Sequence, residues 1–582
     1  MKAPFFRPAR VRDNSKMNRF GLIFWQRNVM LVLCLLLPWL NPFAVSPSTA
    51  VIPLLVSWMM ACCAVLAMSE EYCSPNQIPK LEKWLGLLWL CTLGVSLYAV
   101  PPVIDRAATL GLLGALAAIG LMVAVGRRIA EPHSGLWPYV AAAWLLAALI
   151  NAALGVLQYL DLAQSLSPWV NQPFKGDAFG NLRQRNQFAS LTCIGWVALW
   201  CWVVREQTTV QQRRLYQILV GLSMSLLAVG AACSMSRTGA IEWLVVPGLA
   251  LMWLIQERRS GRAHSAQLWL LCIAAPVSVV VASVVMPALS LWITGDWGAS
   301  LVLRVTGQAQ SYAMCASRHV LWSNVLSMIA QQPWLGWGWA ETDFAHFMTL
   351  YSDARFCDML DNAHDLPLHL ALEFGLIFAA VSLLFALAWI WRRQAWRETL
   401  PERLMAWGVL AVSLIHSLLE YPLWYGPFQM ALGLCIGLLW QRPQHTDLKP
   451  VVSRQPVFLL SLACVLFLAC LYTAWDFNRV GQIYKAPQMR DPAFSGDPLG
   501  YAKKSWIFKN QADFAELTLL TVTPDNAQHV YDLATGLMHY SPEDRVVQRL
   551  IQAADFLGKT DEAQQLRHRL QAAQDSLKQV HP

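Results

Sequence analysis

Arginine, glutamine, histidine, glutamate and tyrosine side chains recur at the ends of apolar runs in this chain, and their types limit what chemistry they can do. Arg183, Gln184, Arg185 and Asn186 stand together in GNLRQRNQFASL, immediately before an apolar run. Arg237 lies in the short turn CSMSRTGA, Arg304 in a long polar stretch, and Arg318 at the start of RHVLWSNVLSMIA. His364 closes that stretch in DNAHDLPLHLALEFG, and Glu420 and Tyr421 occupy the turn of HSLLEYPLWY. A guanidinium makes bidentate, charge-assisted bonds to phosphate, so a group of arginines suits a pyrophosphate. A neutral imidazole accepts a proton from an attacking hydroxyl near physiological pH. Each residue also has a plainer reading. An arginine at the end of an apolar run anchors it at lipid headgroups. Tyr421, Trp424 and Tyr425 fit an interfacial aromatic belt, the reading favoured for the last two.

Around His364 the local pattern is specific. Asp365 is a good N-cap and Pro367 falls in the first turn of the helix that follows. The histidine therefore sits at the positive end of a helix dipole, which disfavours its protonated form. The Asp365 carboxylate opposes that effect if it reaches the ring. Gly336 and Gly338 of PWLGWGW permit a tight loop ahead of the histidine. His364 and His369 are not at metal-ligand spacing and no carboxylate motif accompanies them, so neither a metal nor a cofactor is expected.

The elements that must position these groups are membrane helices. Hydrophobic residues make up 56% of the 582 and charged residues 14%, where soluble domains carry about a quarter charged. About thirteen apolar runs approach the ~20 residues that cross a bilayer. They lie near 29–46, 50–68, 84–101, 107–126, 136–157, 187–204, 215–233, 238–256, 266–286, 367–391, 404–419, 423–440 and 456–474. The fold class is all-α: a polytopic helical membrane protein. With the amino terminus cytoplasmic, Lys and Arg concentrate on the cytoplasmic side of this alternation. The external loops hold only Arg106, Lys175, Arg183, Arg185, Arg237, Arg304, Arg318 and Arg355. That distribution accounts for the net charge of +8 without nucleic acid as a partner.

The chain then divides into a basic cytoplasmic segment (1–28), a first bundle part (29–286), a large external loop (287–365), a second bundle part (366–475) and an external helical tail (476–582). The basic amino-terminal stretch reads as an anchor, since no small-residue cleavage site follows the first apolar run. Within the loop, 317–330 has helical periodicity, with Leu321, Trp322, Val325, Leu326 and Ile329 on one face and Pro333 as its stop. In the tail, SPED at 541–544 and GKTDEA at 558–563 mark turns between helices of a repeat-like kind. Cys315 and Cys357 are the two cysteines of the external loop, where a disulfide is possible. Glu242 is nearly alone as an ionisable residue deep in a span, which argues against a transporter or flippase.

Seven segments in order resemble the O-antigen ligase superfamily, and within it the bacterial protein O-oligosaccharyltransferases. They are NAALGVLQY (151–159), GNLRQRNQFA (180–189), SMSRTG (234–239), SRHVLW through PWLGWGW (317–339), NAHDLPLHLALEFGL (362–376), HSLLEYPLWY (416–425) and WDFNRVGQIY (475–484). The resemblance implies a GT-C-like enzyme of the bacterial inner membrane, embedded among membrane lipids. Its donor would be an undecaprenyl-pyrophosphate-linked oligosaccharide, its acceptor a Ser or Thr of a periplasmic, pilin-like protein, with no metal. Carried over by position, His364 is the base or acceptor-orienting group, and Gln184 and Tyr421 contact the donor. Arg237 and Arg318 clamp the pyrophosphate, with Arg183, Arg185, Arg304 and Glu420 as further donor-site groups. The chain has Gln184-Arg185-Asn186-Gln187 where the family often reads Gln-Pro-Asn-His, and His364-Asp365 where it often reads His-Asn. An O-antigen ligase or polysaccharide polymerase would use the same donor with another acceptor.

Overall fold

The computed structural model describes residues 14–68, 105–131, 134–173, 176–206, 213–305, 314–440 and 457–578, with Leu88, Leu90, Cys91, Leu93 and Gly94 between them. The predicted span near 84–101 and the residues before 14 lie mostly or wholly outside the described residues, as does Lys175. Every other predicted span is a helix. In chain order these are α1 (Asn14–Leu40), α2 (Val51–Ala67), α3 (Arg106–Ile129), α4 (Trp137–Tyr159), α5 (Arg185–Glu206), α6 (Arg213–Cys233), α7 (Arg237–Arg259) and α8 (Ala266–Thr294). Short α9 (Leu301–Val305), α10 (Arg318–Gln331) and α11 (Thr342–Met348) form the large loop. The bundle resumes with α12 (Leu366–Arg393), α13 (Pro401–Ser417), α14 (Gly426–Leu439) and α15 (Val457–Gly481). The tail adds α16 (Pro498–Lys503), α17 (Lys509–Leu519), α18 (Ala527–Met538), α19 (Asp544–Phe556) and α20 (Thr560–Lys578). Eight of the described helices are long and apolar enough to cross a membrane. The molecule is a polytopic helical membrane protein.

Lipid supplies no hydrophobic drive between helices, so close backbone packing must hold them together. Gly433 and Gly437 on α14 form a GxxxG face against Gly126 of α3. A Cβ on Gly437 would lie 2.3 Å from the Val123 carbonyl oxygen, and one on Gly126 2.1 Å from that of Leu434. A second close approach shapes the site. α12 breaks at Gly375 (φ +83°), leaving carbonyls and an amide without helical partners. The PWLGWGW loop supplies them: Trp337 and Gly338 donate to Leu372 and Glu373, and Leu376 donates to Pro333. A Cβ on Gly336 (φ +75°) would meet the Glu373 oxygen at 2.4 Å, so loop and kink require each other.

Two elements run past their predicted ends. α8 continues to Thr294, and α15 to Gly481, with Asp476 wholly buried between Arg479, the Ser505 hydroxyl and the Ile507 amide. On α10, Leu326 is 56% exposed, contrary to expectation. Asn324 and Met328 turn inward with Leu321, Val325 and Ile329 instead. Asn324 earns that place by donating to the Ala354 carbonyl and accepting from the Phe356 amide. Cys315 and Cys357 are joined by a disulfide, their Cα atoms 5.5 Å apart. Both predicted tail turns precede helices, α19 and α20. The tail shares one core with the loop, where Phe344, Phe347 and Met348 pack against Leu517, Val530, Leu537 and Leu550. A hydrogen bond between Nδ1 of His539 and a Glu341 carboxyl oxygen (2.7 Å) seals that contact.

Candidate functional site

Three of the singled-out segments converge on one carboxylate. Glu420 follows the end of α13 in the turn before α14 and is 8% exposed. One of its oxygens pairs with Arg318, the first residue of α10, and the other lies 2.7 Å from Nδ1 of His364. Ser317 caps α10 by accepting from the Val320 amide, which fixes where Arg318 projects. Burial pushes the Glu420 carboxyl up. The His364 hydrogen bond and the Arg318 charge outweigh it, holding Glu420 below the usual carboxyl range. The pair therefore stays charged in mild acid, and its support fades only as pH falls through that lowered value.

His364 has φ +51°, a sparsely populated conformation for a residue with a Cβ. Asn362 holds it there by accepting from the His364 amide at 2.8 Å. Asp365 caps α12 through the Leu368 amide, with Pro367 in the first turn, as the sequence predicts. Its carboxylate is thereby engaged with backbone, and the ring's partner is Glu420. A carboxylate only accepts, so Nδ1 carries a proton, and the neutral form of the ring has its lone pair on Nε2. Nε2 makes no hydrogen bond among the described residues. The Tyr421 ring packs edge-on to the imidazole with centroids 4.9 Å apart, and its hydroxyl is held by Tyr425. Burial raises the Tyr421 phenol above its ordinary value.

Trp424 and Tyr425, which fit an aromatic belt, also pack into this cluster. Trp424 stacks on Trp339 at 6.3 Å and meets His369 edge-on at 4.9 Å. His369 and Glu373, both 2% exposed, pair within α12 at 3.3 Å, and Glu373 accepts from Thr342. With His416, they add to Glu242 as ionisable groups buried in helices. The i,i+4 spacing of His369 and Glu373 was the available signal for the first pair.

The other arginines fall elsewhere. Arg237 is the first residue of α7, capped by Ser236 through the Gly239 amide; it is exposed and unpaired among the described residues. Arg304 donates to the Met235 carbonyl at 3.4 Å, which brings it to the same turn. Arg183 (φ +59°) reaches the Asn171 side chain and the Asn41 carbonyl, and burial lowers its pKa. Arg185 pairs with Asp177 at 3.2 Å. Gln184 accepts from the Gln187 amide at 2.6 Å and so caps α5. Asn186 accepts from the Ser236 hydroxyl, tying the starts of α5 and α7 together. Among the described residues no group of three or more His, Cys, Asp or Glu could hold a metal ion.

A histidine whose inner nitrogen is held by a carboxylate and whose outer nitrogen is open is built to take a proton. Arg318 beside it suits an anionic leaving group. Comparisons with known proteins give the chain's relatives. Residues 222–381 match the O-antigen ligase family, 178–203 match "Protein glycosylation ligase", and 404–576 match "Virulence factor membrane-bound polymerase, C-terminal". Between them these segments contain every residue of the cluster. A "General O-oligosaccharyltransferase" of Acinetobacter baylyi is 23% identical over 348 residues, 59% of this chain and 56% of the relative. A "ComP-specific O-oligosaccharyltransferase" of the same organism is 22% identical over 387 residues, 64% of this chain and 65% of the relative. The chain thus spans less than two thirds of either relative. Along three segments the chain is thus similar to the O-antigen ligases and to the protein glycosylation ligases.

Proposed function

We propose that this chain is a protein O-oligosaccharyltransferase, moving a preassembled glycan from an undecaprenyl-pyrophosphate-linked donor to Ser or Thr hydroxyls of an exported, pilin-like protein. The reaction takes place at the periplasmic face of the inner membrane. The observation that carries this reading is the Arg318–Glu420–His364 array, with the open Nε2 at its tip.

His364 Nε2 takes the acceptor hydroxyl proton as the oxygen bonds to the anomeric carbon. The bond from that carbon to the pyrophosphate breaks with its electron pair, and undecaprenyl pyrophosphate departs. Glu420 holds the Nδ1 proton and offsets the charge of the imidazolium, while proton transfer to His364 contributes about 3–5 kcal/mol at the usual general-base range. Arg237, exposed at the start of α7, and Arg318, whose guanidinium keeps donors beyond those facing Glu420, receive the charge that develops on the pyrophosphate. The scarcity of other cations on this face supports both its periplasmic orientation and the reading of these arginines as ligands. The tail, packed on the loop that carries Arg318, gives a protein acceptor a soluble surface to meet.

Purified protein, lipid-linked donor and a pilin-like acceptor test this directly. Intact mass of the acceptor should rise by one glycan unit with the wild type and stay unchanged with His364→Ala. A second reading, polysaccharide polymerisation, draws on the polymerase-type match over 404–576. Lengthened lipid-linked glycan with unmodified acceptor would favour it.

A further inference from the structure

Beneath the Glu420 turn lies a set of ionisable side chains with no part in the chemistry above. The Ser190 hydroxyl of α5 lies 2.7 Å from Glu242 of α7 and 2.7 Å from Nδ1 of His416, the penultimate residue of α13. Glu242 is 0% exposed and His416 1%. The His416 backbone carbonyl accepts from the amides of Leu419 (3.0 Å) and Glu420 (2.8 Å). The backbone that carries Glu420 therefore hangs from His416. We propose that Ser190, Glu242 and His416 form a buried positioning unit, which holds the Glu420 turn and, through it, the His364 ring. The inference rests on the reading of His364 as the base.

Hydrogen-bond counting supports a role beyond packing. Ser190 has one hydroxyl proton, yet it also contacts the Asn186 carbonyl at 3.0 Å, making three partners. The Asn186 carbonyl can only accept, so with the Ser190 proton directed there both Glu242 and Nδ1 of His416 must donate to the hydroxyl. With Glu242 protonated and His416 a neutral ring carrying its proton on Nδ1, the trio is neutral overall, which a fully buried site in a membrane bundle tolerates far better than a lone carboxylate. Mere helix joining needs no ionisable group. In the same two helices, Trp243 donates to Thr192 at 3.1 Å and joins α7 to α5 without one. The trio alone extends to α13 and ends on the turn that bears Glu420. Its ring is steadied there by Phe428, edge-on at 5.4 Å.

The test uses Glu242→Leu, Ser190→Ala and Glu242→Gln, with Thr192→Val as control, all in the full-length protein. Two readouts are taken: kcat and donor KM at matched folded protein, and amide hydrogen exchange of the 416–425 segment. Glu242→Leu and Ser190→Ala should lower kcat roughly 10–100-fold, the range for a catalytic group displaced by an ångström or less. Donor KM should barely move, and exchange at Leu419 and Glu420 should quicken. Glu242→Gln should keep kcat within a few-fold, because its amide still donates to Ser190. Thr192→Val should lower the Tm and change neither readout. Unchanged exchange in Ser190→Ala, or an equal kcat loss in Thr192→Val, overturns the proposal. The exchange readout needs no glycan transfer: a wild type that transfers nothing defeats the functional reading, while exchange still decides whether the trio holds the turn.

Discussion

The 158–186 loop and the pairing of the 314–365 loop with the Glu420 turn use similar residues in opposite ways. In the first, polar groups satisfy one another. The Gln158 amide donates to Asn171 and Gly180 and accepts from the Phe179 and Gly180 amides. Asn181 reaches Leu40 and Trp169, Asn151 binds Asn181 and Trp39, and both arginines there are engaged with scaffold. In the second, charges gather on Glu420, and one imidazole nitrogen is left open. Polar residues at a membrane boundary thus divide into staples, whose bonds are all made, and chemical groups, which keep one in hand.

That contrast can be broken in graded steps. The largest effect is expected from His364→Ala. It should cut transfer by roughly 10²–10⁴-fold while expression and insertion stay intact, measured as acceptor glycosylation at matched protein level. Retention of more than about a tenth of activity defeats the general-base role. Glu420→Gln should cost on the order of 10²-fold in kcat, because it removes the charge that fixes the ring proton on Nδ1 and strands Arg318. Next come Arg237→Lys and Arg318→Lys, each expected to leave a partial deficit with varied donor, since a phosphate clamp uses the planar fork. Full activity in both would favour headgroup anchoring, and would shift the phosphate role to Arg183, Arg185 or Arg304.

Staples should respond differently. Gln158→Ala or Asn181→Ala should destabilise the protein by about 1–3 kcal/mol through orphaned buried partners, lowering Tm with kcat per folded molecule unchanged. A kcat drop beyond the folded fraction would erase the distinction between the two regions. The smallest activity effect belongs to the Cys315–Cys357 bond. Alkylation without reduction should leave both thiols unlabelled in mass spectrometry, and replacing both by Ser should lower Tm alone.

The spans were legible because hydropathy and loop charge are properties of the sequence itself. So was the cap at Asp365, which needs only its own next turn. What the sequence concealed is mostly long-range. Glu420 and His364 come from different helices, and nothing in either segment names the other as partner. Asp365, the nearest carboxylate in sequence, was the natural candidate, but an N-cap residue is already engaged with backbone amides. Glu242 was visible as a mid-span carboxylate, whereas its link to His416 through Ser190 depends on three helices meeting. Leu326 was misread because a helix face is set by what covers it. Here the 354–356 backbone claims Asn324 and turns the face.

The central claim is that His364 and Glu420 act as one unit, and a double-mutant cycle on kcat tests it most directly. His364→Ala, Glu420→Gln and the double variant would be compared with purified donor and acceptor. Groups that act as a unit are grossly non-additive, so the double variant should lose no more than His364→Ala alone. Losses that multiply would mean that the two side chains act independently, and would contradict the account.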